Sequence, residues 1–371
     1  KPKEEDVKIA EENINSLNED LRKRIDLKSK VESTDNDYKL SAYINSLEIL
    51  KELNKDKESV FDRIYLEIPP NKDFEEISQE LIENKSLQEH ELNISYCVNF
   101  LKEAIEISKD QDYELIWKLP DIAHKQSKES IIKIMGILKK MNMHIDIMTS
   151  SIGLDDSLKD KFNVELYGNY PINAYNIETV LELNNYKALS ISPEIYKKNI
   201  KDLMEDYYKE LSKETKLPEM ELLVHGNIES MTTRKELVSK KQLKLINKYN
   251  QKQRKLNKNF QESEYYIDSN EYYLKNRREQ YYPIKTNLNE DTIIILNCEE
   301  LCLIDEIDYL KSIGISSFSI DARWKSLDYI NEIGKVYRDI VDGETNMEES
   351  KKIIDEHCSA LTKANFEKGL K

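Results

Sequence analysis

The residues able to do chemistry stand mostly at the ends of apolar runs. His225 closes the run MELLVHG and is followed by Gly226. At a strand end it is placed to act as a general base or a substrate donor. It can equally be a buried histidine bonded to backbone. Glu221 lies four residues earlier in the same run. Strand residues four apart share a face, so both are expected to point one way, about 13 Å apart along the strand. Direct contact is not expected, and Glu221 reads as structural. Glu194 follows Ser192-Pro193 after the run KALSIS, where it either faces a site or starts a helix. Asp321 and Arg323 close the run SFSI and share a face, a pairing suited to a polar substrate or to sealing a rim. Asn173 and Asn176 end another run, and their amides can bind a substrate or cap the next helix.

Cys298 and Cys302 are spaced to share a helix face. Two thiolates without a nearby histidine make a poor metal site, so no metal ligand is assigned and core packing is the default. A cysteine protease needs a partner histidine, and the chain has five histidines. Neither a GxSxG elbow nor an HExxH helix occurs. From Arg234 to Lys258 there are ten basic residues and one acid, with Lys240, Lys244, Lys248 and Lys252 at i, i+4. Tyr265-Tyr266, Tyr272-Tyr273 and Tyr281-Tyr282 follow. Such a stretch could bind RNA, its cations meeting phosphates and its tyrosines stacking on bases. A solvated amphipathic helix followed by a hairpin packed on the core is the alternative.

These residues need elements to position them. Strand-like runs at 39–44, 63–68, 113–119, 144–150, 164–175, 187–192 and 220–226 alternate with helical stretches. Two later runs, 291–297 and 317–321, flank a helix expected at 299–311. Seven units plus one of the late strands make eight. That predicts an α/β fold, a (β/α)8 TIM-barrel-like closed sheet with function at the carboxyl ends of its strands. An open doubly wound sheet is the alternative. Neither GxGxxG after a first strand nor a P-loop is present. Residues 227–290 break the rhythm and read as a rim insertion of a basic helix plus hairpins. The expected domains are an entry helix at 1–36, the barrel module at 37–345 and a C-terminal helix and tail at 346–371.

The 371 residues are 39% hydrophobic and 34% charged, with only 8 Gly and 8 Pro, which excludes collagen-like and Gly-rich low-complexity sequence. Four scattered cysteines exclude a disulfide scaffold and point to a reducing cytoplasm. No run of about 18 apolar residues exists, so no membrane partner is expected. A net charge of −15 opposes nonspecific nucleic-acid binding, yet without residues 234–258 the remainder is −24. The chain opens on Lys1 and a highly charged stretch, so a piece of a longer or processed polypeptide is expected.

Several stretches in order resemble the peptidase U32 family of collagenase-like proteases. They are WKLP (117–120), YPINAYN (170–176), LSISPE (189–194), ELLVHG (221–226) with Met231, YYLKNRREQYYPI (272–284), LNCEELCLIDEI (296–307) and FSIDAR (318–323). The resemblance implies a barrel module that follows an upstream module of the same polypeptide. It implies peptide hydrolysis or, as in some members, hydroxylation of RNA by an iron–sulfur enzyme. It would place the site near His225, Glu194, Asn173 and Arg323. Those iron–sulfur members carry four cysteine ligands, some shortly after the histidine–glycine strand. Here TTRKELVSKK follows Met231, and Cys97, Cys298, Cys302 and Cys358 do not reproduce the spacing. In the closing stretch LTKANFEKG, Ala364 and Asn365 replace Gly-His and Lys368 replaces an arginine. A catalytically degenerate or non-catalytic binding module is therefore kept beside the enzyme.

Overall fold

A computed structural model of the chain describes residues 38–55, 59–69, 89–122, 125–233, 272–287, 292–343 and 346–367. Seven parallel strands come first: β1 (Lys39–Ile44), β2 (Arg63–Glu67), β3 (Glu114–Lys118), β4 (Asp146–Thr149), β5 (Leu166–Gly168), β6 (Ala188–Ile191) and β7 (Glu219–Gly226). Four antiparallel strands form a separate rim sheet: β8 (Glu229–Thr233), β9 (Tyr272–Lys275), β10 (Tyr281–Asn287) and β11 (Thr292–Leu296). A short β12 (Glu300–Cys302) follows, then β13 (Ser317–Asp321) and β14 (Leu361–Thr362). β13 pairs with β1 on one side and β7 on the other, which closes an eight-stranded parallel barrel. The connecting helices are α1 (Leu47–Leu53), α2 (Glu89–Ser108), α3 (Lys125–Lys140), α4 (Asp155–Phe162), α5 (Ile177–Glu182), α6 (Lys197–Leu211), α7 (Ile307–Ser312), α8 (Leu327–Asp342) and α9 (Met347–His357).

The eighth barrel strand is SFSID, while TIIIL of β11 belongs to the rim sheet, between β8 and β10. The helix expected over 299–311 is absent. Leu301 and Cys302 pair with Gly226 and His225, Leu303 donates its N–H to Val224 O at 2.9 Å, and only Ile307–Ser312 is α-helical. Pairing with the end of β7 therefore outweighs the helical spacing of the two cysteines, which share no helix face. Tyr170–Ile172 forms a 3-10 turn after β5 rather than a strand. The expected entry helix at 1–36, the basic stretch with Lys240, Lys244, Lys248 and Lys252, and the strand at 264–268 lie outside the described residues.

α8 shows how the outer layer is set. Ser326 caps its start by accepting from Tyr329 N, and Gly343, at φ 86°, ends it. Its buried stripe runs through Tyr329, Ile330, Ile333, Tyr337 and Ile340, a helical spacing that presses one face on the barrel. Where such barrels usually fill their interior with layers of bulky apolar side chains, this one buries Arg63, Lys118, Glu221 and Arg323. At the amino ends of the strands, Arg63 is fully buried and grips Glu219 with two bonds of 2.8 Å and Glu114 with one of 3.0 Å. One layer up, Glu221 accepts from Ser41 (2.7 Å), Tyr65 (3.0 Å), Ser317 (3.1 Å) and Ser190 (3.3 Å). Burial raises the Glu221 carboxyl, and four donors account for its oxygens.

The lower pair gives a pH prediction. Burial opposes the charge on Glu219, but Arg63 and Lys39 outweigh it and hold the carboxyl at about 2, below its ordinary 4.5. A carboxyl depressed on folding adds stability above its unfolded pKa, and that stability is lost as pH falls through the folded one. Urea unfolding should therefore show stability dropping from about pH 5 toward about pH 2, and the drop should be shallower in Glu219→Gln. Parallel pH profiles for the two proteins would contradict this.

Candidate functional site at the barrel mouth

The carboxyl ends of the strands bring six ionisable side chains together inside the barrel. Glu67 ends β2, Lys118 ends β3, Asp121 lies three residues beyond it, Asp321 ends β13, and Arg323 follows. Glu229 enters from above, at the first position of β8. Arg323 is the hub. Its Nε and Nη2 meet Asp321 at 3.0 and 2.6 Å, its Nη1 meets Glu67 at 2.6 Å, and its Nη2 lies 2.7 Å from Glu229 Oε1. Lys118 Nζ bridges Glu67 at 2.9 Å and Asp121 at 3.3 Å. Ser150 Oγ and Asn169 Nδ2 donate to Asp121 Oδ1 at 2.5 and 2.9 Å, and Tyr43 Oη donates to Asn169 Oδ1 at 3.2 Å.

Two of these carboxyls are driven apart. Burial raises Glu229, and the neighbouring Asp121 charge raises it further, against the opposing pull of Arg323 and Lys118. Burial also works against Asp121, but Lys118, a hydrogen bond from Glu229 and the Ser150 hydroxyl hold it well below the usual carboxylate range. The pair thus pushes one buried carboxyl toward its protonated form and holds the other ionised, the pattern that separates acid from base roles.

The expected site residues divide. Asp321 and Arg323 meet as a buried pair within this cluster. His225 does not face the mouth. The register of β13 on β7 shifts between Ser319↔Leu223 and Ile320↔His225, so Val224 is an extra residue. A bulge reverses the side-chain alternation beyond it. His225 therefore points outward with Ile320, and the shared face expected for Glu221 and His225 is not kept. There it is fully buried, with its Nδ1 3.2 Å from Tyr337 Oη, and burial, then Lys325, push its pKa down to about 3. Glu194 is exposed in the turn before α6, where it accepts from Tyr175 Oη at 2.9 Å. Asn176 caps α5 by accepting from Thr179 N, and Asn173, at φ 63°, is the left-handed end of the 3-10 turn. Both asparagines are exposed.

Glu67, Lys118, Asp121 and Glu229 were not singled out by sequence. A usable signal exists for Glu67 and Lys118, since a charge at the last position of an apolar barrel strand faces the mouth. Glu229 has none, because β8 crosses over the mouth only through the turn at 227–228.

In the rim sheet, the hairpin of β9 and β10 turns on Asn276, whose Oδ1 accepts from Arg278 N at 2.8 Å and Gln280 N at 3.0 Å. Tyr273 and Tyr281 are each 53% exposed on it, ring centroids 6.5 Å apart and edge to face. Lys275 Nζ lies 5.3 Å from the Tyr281 ring, and Arg277 and Arg278 are exposed at the turn.

The family model for peptidase family U32 matches residues 91–370. The chain belongs to peptidase family U32. One stretch of this U32 chain, 65 residues or 18% of it, is 38% identical to tRNA hydroxylation protein P2 of Bacillus subtilis, and the match spans 20% of that relative's length. Among solved structures, a chitinase from Chromobacterium violaceum is similar over 76% of this chain and 93% of its own, at 9% identity and a TM-score of 0.32. The spore cortex-lytic enzyme SleL of Bacillus megaterium is similar over 78% of this chain and 70% of its own, at 10% identity and a TM-score of 0.32. An iron–sulfur cluster of the kind some U32 members carry takes four thiolates. Among the described residues, the set of three metal-capable side chains that converges, His225, Glu300 and Cys358, holds one cysteine, so the U32 chain's own residues do not fit such a cluster. Among the described residues, no helix is long and apolar enough to cross a membrane.

Proposed function

We propose that this chain is the RNA-acting barrel module of a longer U32 protein, with a proton-transfer site at the barrel mouth and an RNA platform on the rim. The rim hairpin carries the reading. Tyr273 and Tyr281 offer exposed rings beside Lys275, Arg277 and Arg278, and aromatic faces interleaved with cations suit stacked bases and phosphates. The relative named as a tRNA hydroxylation protein supports the same substrate class. The stretch 234–258, which follows β8 in the sequence, carries a charge of +9 by count, a composition suited to phosphates. In the mouth, Glu229 gives a proton and Asp121 takes one, while Arg323 and Lys118 hold the neighbouring charges in place. All four cysteines are free thiols, which supports a reducing, cytoplasmic setting. The peptidase reading is less well supported. Cys358 lies 3.7 Å from His225, but the two stand on the outer face of β7, away from the carboxyl-end mouth where a barrel places its chemistry.

Fluorescence anisotropy with transfer RNA tests this. Each of Tyr273→Ala and Tyr281→Ala should weaken binding roughly tenfold, from about 1–3 kcal/mol per stacked base. Arg277→Glu with Arg278→Glu should flatten the salt dependence. Glu229→Gln should leave RNA affinity unchanged while abolishing any mass change that the wild-type chain produces in the RNA. Affinity that is absent, or indifferent to the hairpin substitutions, would sink the reading.

A further inference from the structure

On the outer face of β7, away from the mouth, three donor atoms converge. His225 Nε2, a Glu300 carboxylate oxygen and Cys358 Sγ all lie within 4.8 Å of one another. Cys358 Sγ is 3.7 Å from Nε2 and 3.6 Å from Glu300 Oε2. The three residues come from the end of β7, the start of β12 and the position just after α9. Tyr337 Oη stands 3.2 Å from both Val224 O and His225 Nδ1. With the ring proton on Nδ1, Nε2 offers its lone pair to the centre of the triangle. Glu300 is an acceptor on both oxygens, receiving Tyr329 Oη at 2.8 Å and Lys325 Nζ at 2.5 Å. The Cys358 thiol has one proton to offer to two acceptors.

The geometry points to a zinc site of His225, Glu300 and Cys358, with the fourth position left to water. Zinc bonds of about 2.3 Å to sulfur and about 2.0 Å to nitrogen or oxygen, at tetrahedral angles, set such donors roughly 3.3–3.6 Å apart. The sulfur edges, 3.7 and 3.6 Å, lie at the upper end of that range, and the nitrogen–oxygen edge lies within 4.8 Å. The supporting contacts are those that ligands need. Tyr337 Oη holds the other ring nitrogen of His225, and Tyr329 and Lys325 hold the carboxylate. On binding, the thiol proton leaves to solvent and the sulfur binds as thiolate; nothing is oxidised or reduced. The ion would tie the end of β7 to β12 and to the residue after α9, on the opposite side of β7 from the mouth cluster. It does not depend on the RNA reading.

The test uses zinc and cobalt ions with the intact chain. Dialysed protein should retain one equivalent of zinc. Cobalt should give a thiolate-to-metal charge-transfer band with tetrahedral visible bands. Cys358→Ser should abolish the charge-transfer band, and His225→Gln and Glu300→Gln should each weaken zinc binding at least tenfold, while Cys298→Ser changes nothing. If Cys358→Ser does not fold, alkylation of the wild type read by peptide mass decides. Zinc should slow labelling of Cys358 and leave Cys97 and Cys298 unaffected. Sub-stoichiometric zinc, a band that survives Cys358→Ser, or labelling of Cys358 that ignores zinc would overturn the site.

Discussion

Arg323→Ala should destabilise the protein by about 3–5 kcal/mol, the range seen when one partner of a buried ion pair is removed. The guanidinium is 2% exposed and stands between three carboxyls, Asp321, Glu67 and Glu229. Without it, Lys118 alone faces those groups and Asp121. Burial by itself raises Glu67, and at present Lys118 and Arg323 outweigh that and hold it low. Removing the arginine takes away one of the two cations that hold Glu67 low and part of what opposes the rise of Glu229, so the folded state then takes up protons more readily. Stability of the variant should therefore fall as pH rises, the opposite of the trend expected for Glu219. Arg323→Lys should recover part of the loss, because it keeps the charge but not the fork that meets Asp321 in two bonds and Glu67 in a third. Urea denaturation at two pH values is sufficient. A loss under about 1 kcal/mol would mean that water or rearrangement replaces the arginine, and the mouth cluster would not be the rigid unit described.

Gly226→Ala should be as damaging or worse. Gly226 has φ +113°, a conformation that side chains rarely adopt, and a Cβ built there would stand 2.3 Å from Asp321 O and 3.0 Å from its Cβ. Backbone strain of about 1–3 kcal/mol adds to overpacking of similar size, so a total loss above about 3 kcal/mol is expected. Gly136→Ala is the control. It sits in α3 with nothing within 4 Å of the new methyl, and alanine there should gain up to about 1 kcal/mol. Equal thermal midpoints for wild type and Gly226→Ala would refute the close approach of β7 and β13 at this point.

The contrast between what the sequence disclosed and what it hid follows from the period of a strand. All seven early strands are legible, because each is a short apolar run set between helices. The closing strand SFSID is legible as a strand but not as the closing one, since TIIIL is at least as strand-like a run and only its antiparallel partners β8 and β10 send it to the rim. The direction of His225 is illegible for a sharper reason. One extra residue, Val224, leaves composition untouched and turns every later side chain over. The contact of Asp321 with Arg323 follows from their spacing, because no bulge lies between them. Cys298 and Cys302 fail as a helical pair because β12 finds a partner in β7. Cys358 and His225, 133 residues apart, are brought together by α8 and α9, which no local pattern encodes.

The closing strand has a consequence for how the chain reaches its fold. Ser317 of β13 pairs with Lys39 and with Glu221, separations of 278 and 96 residues by subtraction. Seven strands therefore leave the ribosome before their ring can be sealed, and β1 and β7 wait as two bare edges while the rim sheet is still being made. Contacts of such span form slowly, and bare edges are where chains find one another. Yield at the bench should accordingly depend on dilution and on chaperones that shield edges, and a chain cut before residue 317 should aggregate rather than form a smaller barrel.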